Sequence, residues 1–378
     1  MRVLVWNASG RYSGYVTGVG KHVMHMVNGL SQREGTDLSM LVPNDEWKTD
    51  GAVEDGPMAR IPTQCLPYSR KWMEASWRLA KTPAIDRWAG GADWIYCPRE
   101  LYVPVSKARY AVTVHDVYRI EVKQNGLQAL RQRQTSVLLA RALRTATLVL
   151  TVSEFTKSRL EDLFGISAAK VRVVGNGVEG GYFKIGQRDP EIILPLQNEP
   201  YVLAMGGLTA KKGANDVLKF AKALKEVAPT VNIISIGVVE PEYRSELAAA
   251  NNLHVLGRGI CDQNLQHLLR GAIASVVLSR YEGFGIPVLE AMAAGVPAIA
   301  MRRTALPEVA GGAGVLIDPA EPETAACMVR ELIDNDAFRC DLISRGHAHA
   351  RRFTWDACAD RLGQALEEFA ANRAKQTG

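Results

Sequence analysis

The sequence lacks a long apolar run, a paired-cysteine pattern and any short repeat or low-complexity tract, and each lack argues against a class of protein. No apolar stretch reaches the ~18 residues that a membrane-spanning helix needs. The six cysteines, Cys65, Cys97, Cys261, Cys327, Cys340 and Cys358, form no C-x-x-C pair and never recur with histidine at zinc spacing. Scattered buried thiols in a reduced compartment are therefore expected, and no metal centre. The chain enters a strand-like run at once, Val3-Leu4-Val5-Trp6, without a signal-peptide pattern, so a cytoplasmic protein is expected.

What is present is ordinary globular material. The chain has 378 residues, 47% hydrophobic and 22% charged, enough for two or three domains at ~150 residues each. The formal net charge of +5 is unevenly spread. Residues 1–185 carry 25 Lys/Arg against 17 Asp/Glu, and residues 60–144 carry 15 against 6. A basic half joined to a mildly acidic half suggests that the basic half meets an anionic surface or substrate.

Short apolar runs alternate with amphipathic stretches. Strands are expected at 3–7, 38–43, 92–97, 109–115, 147–152 and 171–175, with helices at 19–33, 127–146 and 154–164. A polar, proline-containing stretch over 185–200 reads as a linker. The alternation restarts with strands near 201–206, 231–237, 253–257, 274–279 and 297–301, and helices at 213–228, 243–250, 263–271 and 288–294. Three helices, 322–334, 337–352 and 355–373, close the chain. This pattern predicts an α/β protein with two doubly wound parallel sheets in tandem. Such sheets bind ligands beyond the carboxyl ends of their strands, so two of them facing each other would share a central cleft.

The most informative segment is R-Y-E-G-F-G-I-P-V-L-E-A-M-A-A-G-V-P, Arg280 to Pro297. It sets Glu282 and Glu290 eight residues apart around a Gly283-Phe284-Gly285 turn and a helix-starting Pro287. Glycine permits close backbone approach, and proline suits a first helical turn. The amides of that turn attract a phosphate or hydroxyl. Glu290 is suited to a ribose diol and Glu282 to the hydroxyls of a sugar. In Met205–Gly213, M-G-G-L-T-A-K-K-G, Lys212 stands beside a helix start, where an ammonium suits a diphosphate. Gly18 and Gly20 open a helix after the first strand. That loop is no Walker A, since His22 follows Lys21, and it lacks the third glycine of a dinucleotide fingerprint. His115-Asp116 ends a β-branched strand, where Asp116 could orient the imidazole. Ser153 reads as a helix N-cap, and Asn176-Gly177 as a turn.

Together these segments resemble the family 4 glycosyltransferases, which have the GT-B fold. The resemblance is carried by Gly18-Val19-Gly20, T-V-H-D at 113–116, V-S-E-F at 152–155 and V-V-G-N-G-V at 173–178. It continues through G-G-L-T-A-K-K-G at 206–213, the Glu282–Pro297 segment, L-P-E-V at 306–309 and F-T-W from Phe353. It implies an N-terminal Rossmann-like domain over 1–184, a linker over 185–200 and a donor-binding domain over 201–354, with the last helix, 355–378, packing back on the first domain. It further implies retaining sugar transfer from a nucleotide diphosphate sugar, without metal or other cofactor.

By position, Glu290 would bind the ribose and Lys212 the diphosphate. Glu282 and the amides of Phe284 and Gly285 would contact donor sugar or phosphate. His115 would lie beside the sugar, Gly18 and Gly20 near its phosphate, and Arg258 near the base. Many family members carry arginine where this chain has Gly207, so either Lys212 would hold the diphosphate with less help, or another cation such as Arg258 or Arg303 would substitute. The G-F-G-I-P version of the motif is most similar to bacterial mannosyltransferases of O-antigen and exopolysaccharide assembly, which implies GDP-mannose as donor and a glycan or lipid-linked acceptor. A UDP-sugar donor, a sugar-nucleotide epimerase and a non-catalytic nucleotide-sugar-binding protein are the alternatives. Nucleic-acid binding is not expected.

Residues 68–88 interleave Arg70, Lys71, Arg78, Lys81 and Arg87 with Trp72, Trp77 and Trp88. Basic side chains near an anionic bilayer contribute roughly 1 kcal/mol each, and Trp favours the interface. Peripheral contact at the inner face of the cytoplasmic membrane is therefore expected.

Overall fold

The computed structural model describes residues 1–6, 17–47, 58, 60–122, 125–184, 199–257 and 259–377. The chain divides into two compact units. The first runs to Asn176 and regains Trp355 onward; the second is Gly177–Thr354.

The first unit holds a seven-stranded parallel sheet. Its strands are β1 (Arg2–Trp6), β2 (Asp37–Pro43), β3 (Thr63–Leu66), β4 (Trp94–Cys97), β5 (Arg109–Val114), β6 (Leu148–Thr151) and β7 (Val171–Val173), in the order 3-2-1-4-5-6-7. The central strands are buried along their length, as sheets covered on both faces require. The second unit repeats the plan. Its strands are β8 (Tyr201–Met205), β9 (Asn232–Ile236), β10 (Leu253–Leu256), β11 (Ser275–Val277), β12 (Ala298–Met301) and β13 (Val315–Ile317), in the order 10-9-8-11-12-13, all parallel.

Both orders reverse direction once, between β1 and β4 and between β8 and β11. That reversal is the topological switch point at which doubly wound sheets bind ligands. The loops after β8 and β11, which carry Lys212 and Glu282, flank the second switch point. The loop after β4, Pro98 to Leu101, borders the first.

Two strands escaped the periodicity. β3 is an exposed-edge T-Q-C-L with a single buried residue, and β13 is three residues long behind a glycine run. Neither is long enough to display a period.

The final helix, Trp355–Thr377, lies along the helix Gly18–Gln32 of the first unit. Gly29 makes that approach possible, because a Cβ there would stand 2.5 Å from the Cβ of Ala359. Arg33 bridges Glu367 at 3.0 Å and Asp360 at 3.2 Å, Arg172 bridges Glu368 at 2.6 Å, and Arg361 Nε donates to the Val174 carbonyl at 2.9 Å. His25 stacks on Trp355, ring centroids 4.6 Å apart.

The cysteines correct the sequence reading in part. Cys97 and Cys358 are buried, and burial pushes their thiols up to about 12 and about 11. Cys261, Cys327 and Cys340 are exposed, because they sit at the start of one helix and on the outer faces of two others.

Candidate functional site

The donor-side candidates assemble within the second unit. After β8 the chain makes two left-handed turns, Gly206 (φ 121°) and Gly207 (φ 68°). A Cβ on Gly206 would lie 2.7 Å from the Cγ and Cδ of Lys212, so glycine there leaves room for the lysine stem. Gly213 (φ 75°) starts the helix Ala214–Val227, and its backbone presses on the next loop: an added Cβ would meet the Leu278 carbonyl at 2.1 Å. The Lys211 carbonyl accepts from the amides of Arg280 at 3.0 Å and Tyr281 at 3.3 Å. Arg280 also pairs with the buried Asp216 at 3.1 Å. The two loops are thus one hydrogen-bonded unit.

Lys212 Nζ lies 2.6 Å from Glu282 Oε1, an ion pair with side chains 28% and 11% exposed. The Glu282 amide donates to Thr304 Oγ1 at 3.2 Å, and the Glu282 carbonyl accepts from Ala305 at 3.4 Å. Thr304 has φ 53°, a strained setting for a β-branched residue. Such strain concentrates at functional sites. Gly285 (φ 113°) begins the helix Ile286–Ala293 with Pro287 in its first turn, and a Cβ there would lie 2.8 Å from Leu306 Cδ2. Gly283 and Phe284 are buried, and Phe284 meets Phe353 edge-on at 6.3 Å.

Neither the helix at Gly213 nor that at Gly285 has a side-chain cap, whereas Thr17, Ser69, Ser153 and Asn335 cap theirs. Backbone carbonyls take several of the first-turn amides instead: Ala214 donates to the Thr209 carbonyl at 3.0 Å, Asp216 and Val217 to the Gly213 carbonyl at 2.8 and 2.9 Å, and Val288 to the Gly285 carbonyl at 3.0 Å. The positive end of a helix beside an ammonium still fits an anion. Among the described residues, no three His, Cys, Asp or Glu side chains cluster as a metal-binding group.

Glu290, on the helix Ile286–Ala293, is buried and accepts from the Tyr182 hydroxyl at 3.1 Å. Tyr182, on a short 3-10 turn (Gly180–Phe183), was not anticipated from sequence, because its partner is 108 residues away and no local period links them. Arg258 lies outside the described residues. Gly207 is a backbone requirement: a Cβ there would be 2.3 Å from the Val238 carbonyl oxygen.

In the first unit, His115 follows directly on β5 and is 8% exposed. Its Nε2 pairs with the Pro98 carbonyl at 2.9 Å, and its amide donates to the Glu100 carboxylate. The expectation that Asp116 orients the imidazole is therefore corrected; the Asp116 carboxylate accepts from the Tyr118 amide at 3.0 Å, as a turn residue does. Gly18 is exposed and Gly20 buried, and the Gly20 amide donates to Thr17 Oγ1 at 3.1 Å.

His22, absent from the sequence expectations as a site residue, packs edge-on against His115 at 4.7 Å. Its Nδ1 bonds Asn176 Oδ1 at 2.7 Å, so Nδ1 carries the proton; Nε2 is buried without a hydrogen-bond partner among the described residues. Burial, then the neighbouring His115, holds the His22 pKa well below the usual histidine value.

The basic segment also needs one correction. Trp77 is buried, edge-on to Trp6 at 5.3 Å, and its indole donates to the Pro83 carbonyl at 2.9 Å. The helix Arg70–Leu79 turns Met73 and Trp77 inward. Trp72, stacked on Tyr68, and Leu79 are exposed, and Trp88 is half-buried. Leu130 and Val137 on the helix Gly126–Thr145 are exposed too, and Arg141 of that helix donates to the Arg78 carbonyl at 3.3 Å. Among the described residues, no helix is long and apolar enough to cross a membrane.

Comparison with known proteins accounts for this architecture. Residues 16–179 match the model for Glycosyltransferase Family 4, and residues 187–349 match that for Glycosyl transferases group 1. The O-antigen chain mannosyltransferase B of Escherichia coli is 27% identical over 369 residues, 91% of this chain and 94% of that protein. The MMP alpha-(1->4)-mannosyltransferase of Mycolicibacterium hassiacum is 29% identical over 244 residues, 61% of this chain and 56% of that one. Sucrose-phosphate synthase from Thermosynechococcus elongatus superposes with a TM-score of 0.76 at 19% identity, over 98% of this chain and 99% of that one. Anabaena HepE in complex with UDP-glucose gives 0.70 at 18%, over 97% and 100%. With the two family matches covering most of its length, the chain belongs to the family 4 glycosyltransferases and has the GT-B fold.

Proposed function

We propose that this glycosyltransferase moves mannose from GDP-mannose, with retention at the anomeric carbon and without a metal, to a glycan or lipid-linked acceptor in cell-surface polysaccharide assembly. The observation that carries the reading is the Lys212–Glu282 pair between two uncapped helix N-termini at a sheet switch point. In this reading Lys212 turns from Glu282 to the diphosphate, and the amides of Phe284 and Gly285 take a phosphate oxygen. Glu282, so released, accepts from a sugar hydroxyl, and Glu290 from the ribose. His115 serves the transferred sugar and Gly18 and Gly20 its phosphate.

The chemistry asks for positioning and charge stabilisation. The bond from the anomeric carbon to the phosphate oxygen breaks as a bond to the acceptor oxygen forms on the same face. The acceptor proton passes to the departing phosphate oxygen, so no protein base is needed. The mannosyl donor is supported by the names of the two sequence relatives. The exposed Tyr68, Trp72 and Leu79 beside Arg70, Lys71 and Lys81 support contact with an anionic bilayer at its cytoplasmic face, where a lipid-linked acceptor would be met.

Thermal-shift titration with GDP, UDP, ADP and their sugars tests the donor. A ligand stabilises in proportion to its occupancy, so GDP and GDP-mannose should raise the melting temperature most, and Glu290→Ala should abolish the shift. A larger response to UDP or ADP would overturn the guanine assignment. No response to any nucleotide would overturn the donor site.

A further inference from the structure

Tyr182 sits where three elements of the second unit meet. Its 3-10 turn is clamped on the helix Asp262–Gly271: Arg270 Nη2 donates to the Gly181 carbonyl at 3.0 Å, and a Cβ on Gly181 would lie 2.9 Å from Gln266 Nε2. Phe183, next in the turn, packs edge-on against His347 at 5.3 Å with the Arg351 guanidinium over its ring. So held, the phenol is 1% exposed and its oxygen stands between two carboxylates, 3.1 Å from Glu290 Oε1 and 3.4 Å from Asp262 Oδ1.

A phenol has one proton to give, and the shorter contact is to Glu290. Burial and then the charge of Glu290 raise the tyrosine pKa, so the hydroxyl stays a donor. A carboxylate has about four lone-pair sites and can accept from Tyr182 and from a diol together. Without the hydroxyl, Glu290 would lose this donor at 3.1 Å.

We infer that Tyr182 is a positioning residue of the nucleotide subsite: its hydroxyl fixes Glu290 to accept from both ribose hydroxyls, and the preference for ribonucleotides over deoxyribonucleotides depends on it. The inference rests on the donor-site reading above. It adds a residue that never touches the ligand yet sets what the site selects.

Isothermal titration of the full chain with GDP, 2′-deoxy-GDP and 3′-deoxy-GDP tests it, in wild type and in Tyr182→Phe, Asp262→Asn and Glu290→Gln variants. In Tyr182→Phe the affinity for GDP should fall about tenfold, the size of one hydrogen bond to a charged group. The deoxy forms should lose less, so the ribose-to-deoxyribose ratio compresses severalfold. Asp262→Asn keeps the hydroxyl on Glu290 and should keep the ratio. Uniform weakening of all three ligands in Tyr182→Phe, with the ratio intact, would make Tyr182 merely structural and overturn the inference. So would an equal compression in Asp262→Asn. Unchanged GDP affinity in Glu290→Gln would instead overturn the donor-site reading itself, which keeps the two failures distinct.

Discussion

Replacing Gly207 by arginine, the residue that many family 4 chains carry there, should damage this protein rather than restore a missing cation. The reason lies at the Cβ, before any guanidinium is considered. At φ 68° an L side chain costs roughly 1–2 kcal/mol. The added Cβ would also stand 2.3 Å from the Val238 oxygen, 2.6 Å from the Val238 nitrogen and 2.8 Å from the Gly237 carbonyl carbon. Relief by separating the loops would stretch the bonds that join them, Gly206 N to the Ile236 carbonyl at 2.9 Å and Leu208 N to the Val238 carbonyl at 2.8 Å. Overpacking of this kind costs typically ~1–3 kcal/mol. The total is about 2–5 kcal/mol, a loss of roughly 5–15 °C in melting temperature for a unit of this size.

Because the cost arises at the Cβ, Gly207→Ala should lose nearly as much as Gly207→Arg. Displacing Gly206 also moves the wall against which the Lys212 stem lies, so both variants should bind GDP more weakly. Differential scanning fluorimetry and calorimetric titration of the pair decide the matter. An arginine variant that melts with the wild type and binds GDP more tightly would refute the argument.

Lys212→Ala should lower turnover by about 10²–10³, the range for losing one donor to a developing anion, and should lower the melting temperature as well, since Glu282 is left unpaired; wild-type initial rates at saturating donor would remove Lys212 from the site. His22 resists protonation in the folded chain, whereas free histidine titrates near 6.5. Below that pH the unfolded chain takes up the proton first, so stability present above about 6.5 is lost on acidification, by at most ~1.4 kcal/mol per pH unit. His22→Gln should flatten the dependence of melting temperature on pH between 7 and 5, and parallel curves would refute the assignment. Trp72→Asp and Leu79→Asp should each reduce flotation of the protein with anionic liposomes several-fold while leaving nucleotide binding unchanged; flotation independent of both would dissociate this patch from the membrane.

The parallel sheets were legible because their central strands are near-continuous apolar runs separated by helical periods, as at Val3–Trp6 and Ala298–Met301. Ser153 was readable as a cap, and its hydroxyl does accept from the Thr156 amide at 3.0 Å. The Glu282–Glu290 segment was readable because its glycines, proline and carboxylates are neighbours in the chain. Nothing local marks a contact between distant residues. His22 and Asn176 are 154 residues apart, and the Lys212–Glu282 pair spans 70. Trp72 and Trp77 look alike in sequence, yet only the helical phase set by Met73 decides which is outside. Gly207 read as a departure from the family because the sequence does not show that another backbone occupies the space where a side chain would go.

The last helix has a consequence for synthesis. The faces of Val23, Met26, Val27 and Leu30 that it helps to bury belong to the first helix made. Chain growth at ~5–20 residues per second means that the residues between Asn176 and Trp355 occupy the ribosome for on the order of ten to forty seconds. Throughout that interval the first unit is one helix short, with Gly29 facing water where Ala359 will sit. The second unit, contiguous in sequence from Gly177 to Thr354, is completed first although it starts later. A chain released before residue 355 would therefore carry a finished second unit tethered to a first unit that still lacks its closing helix.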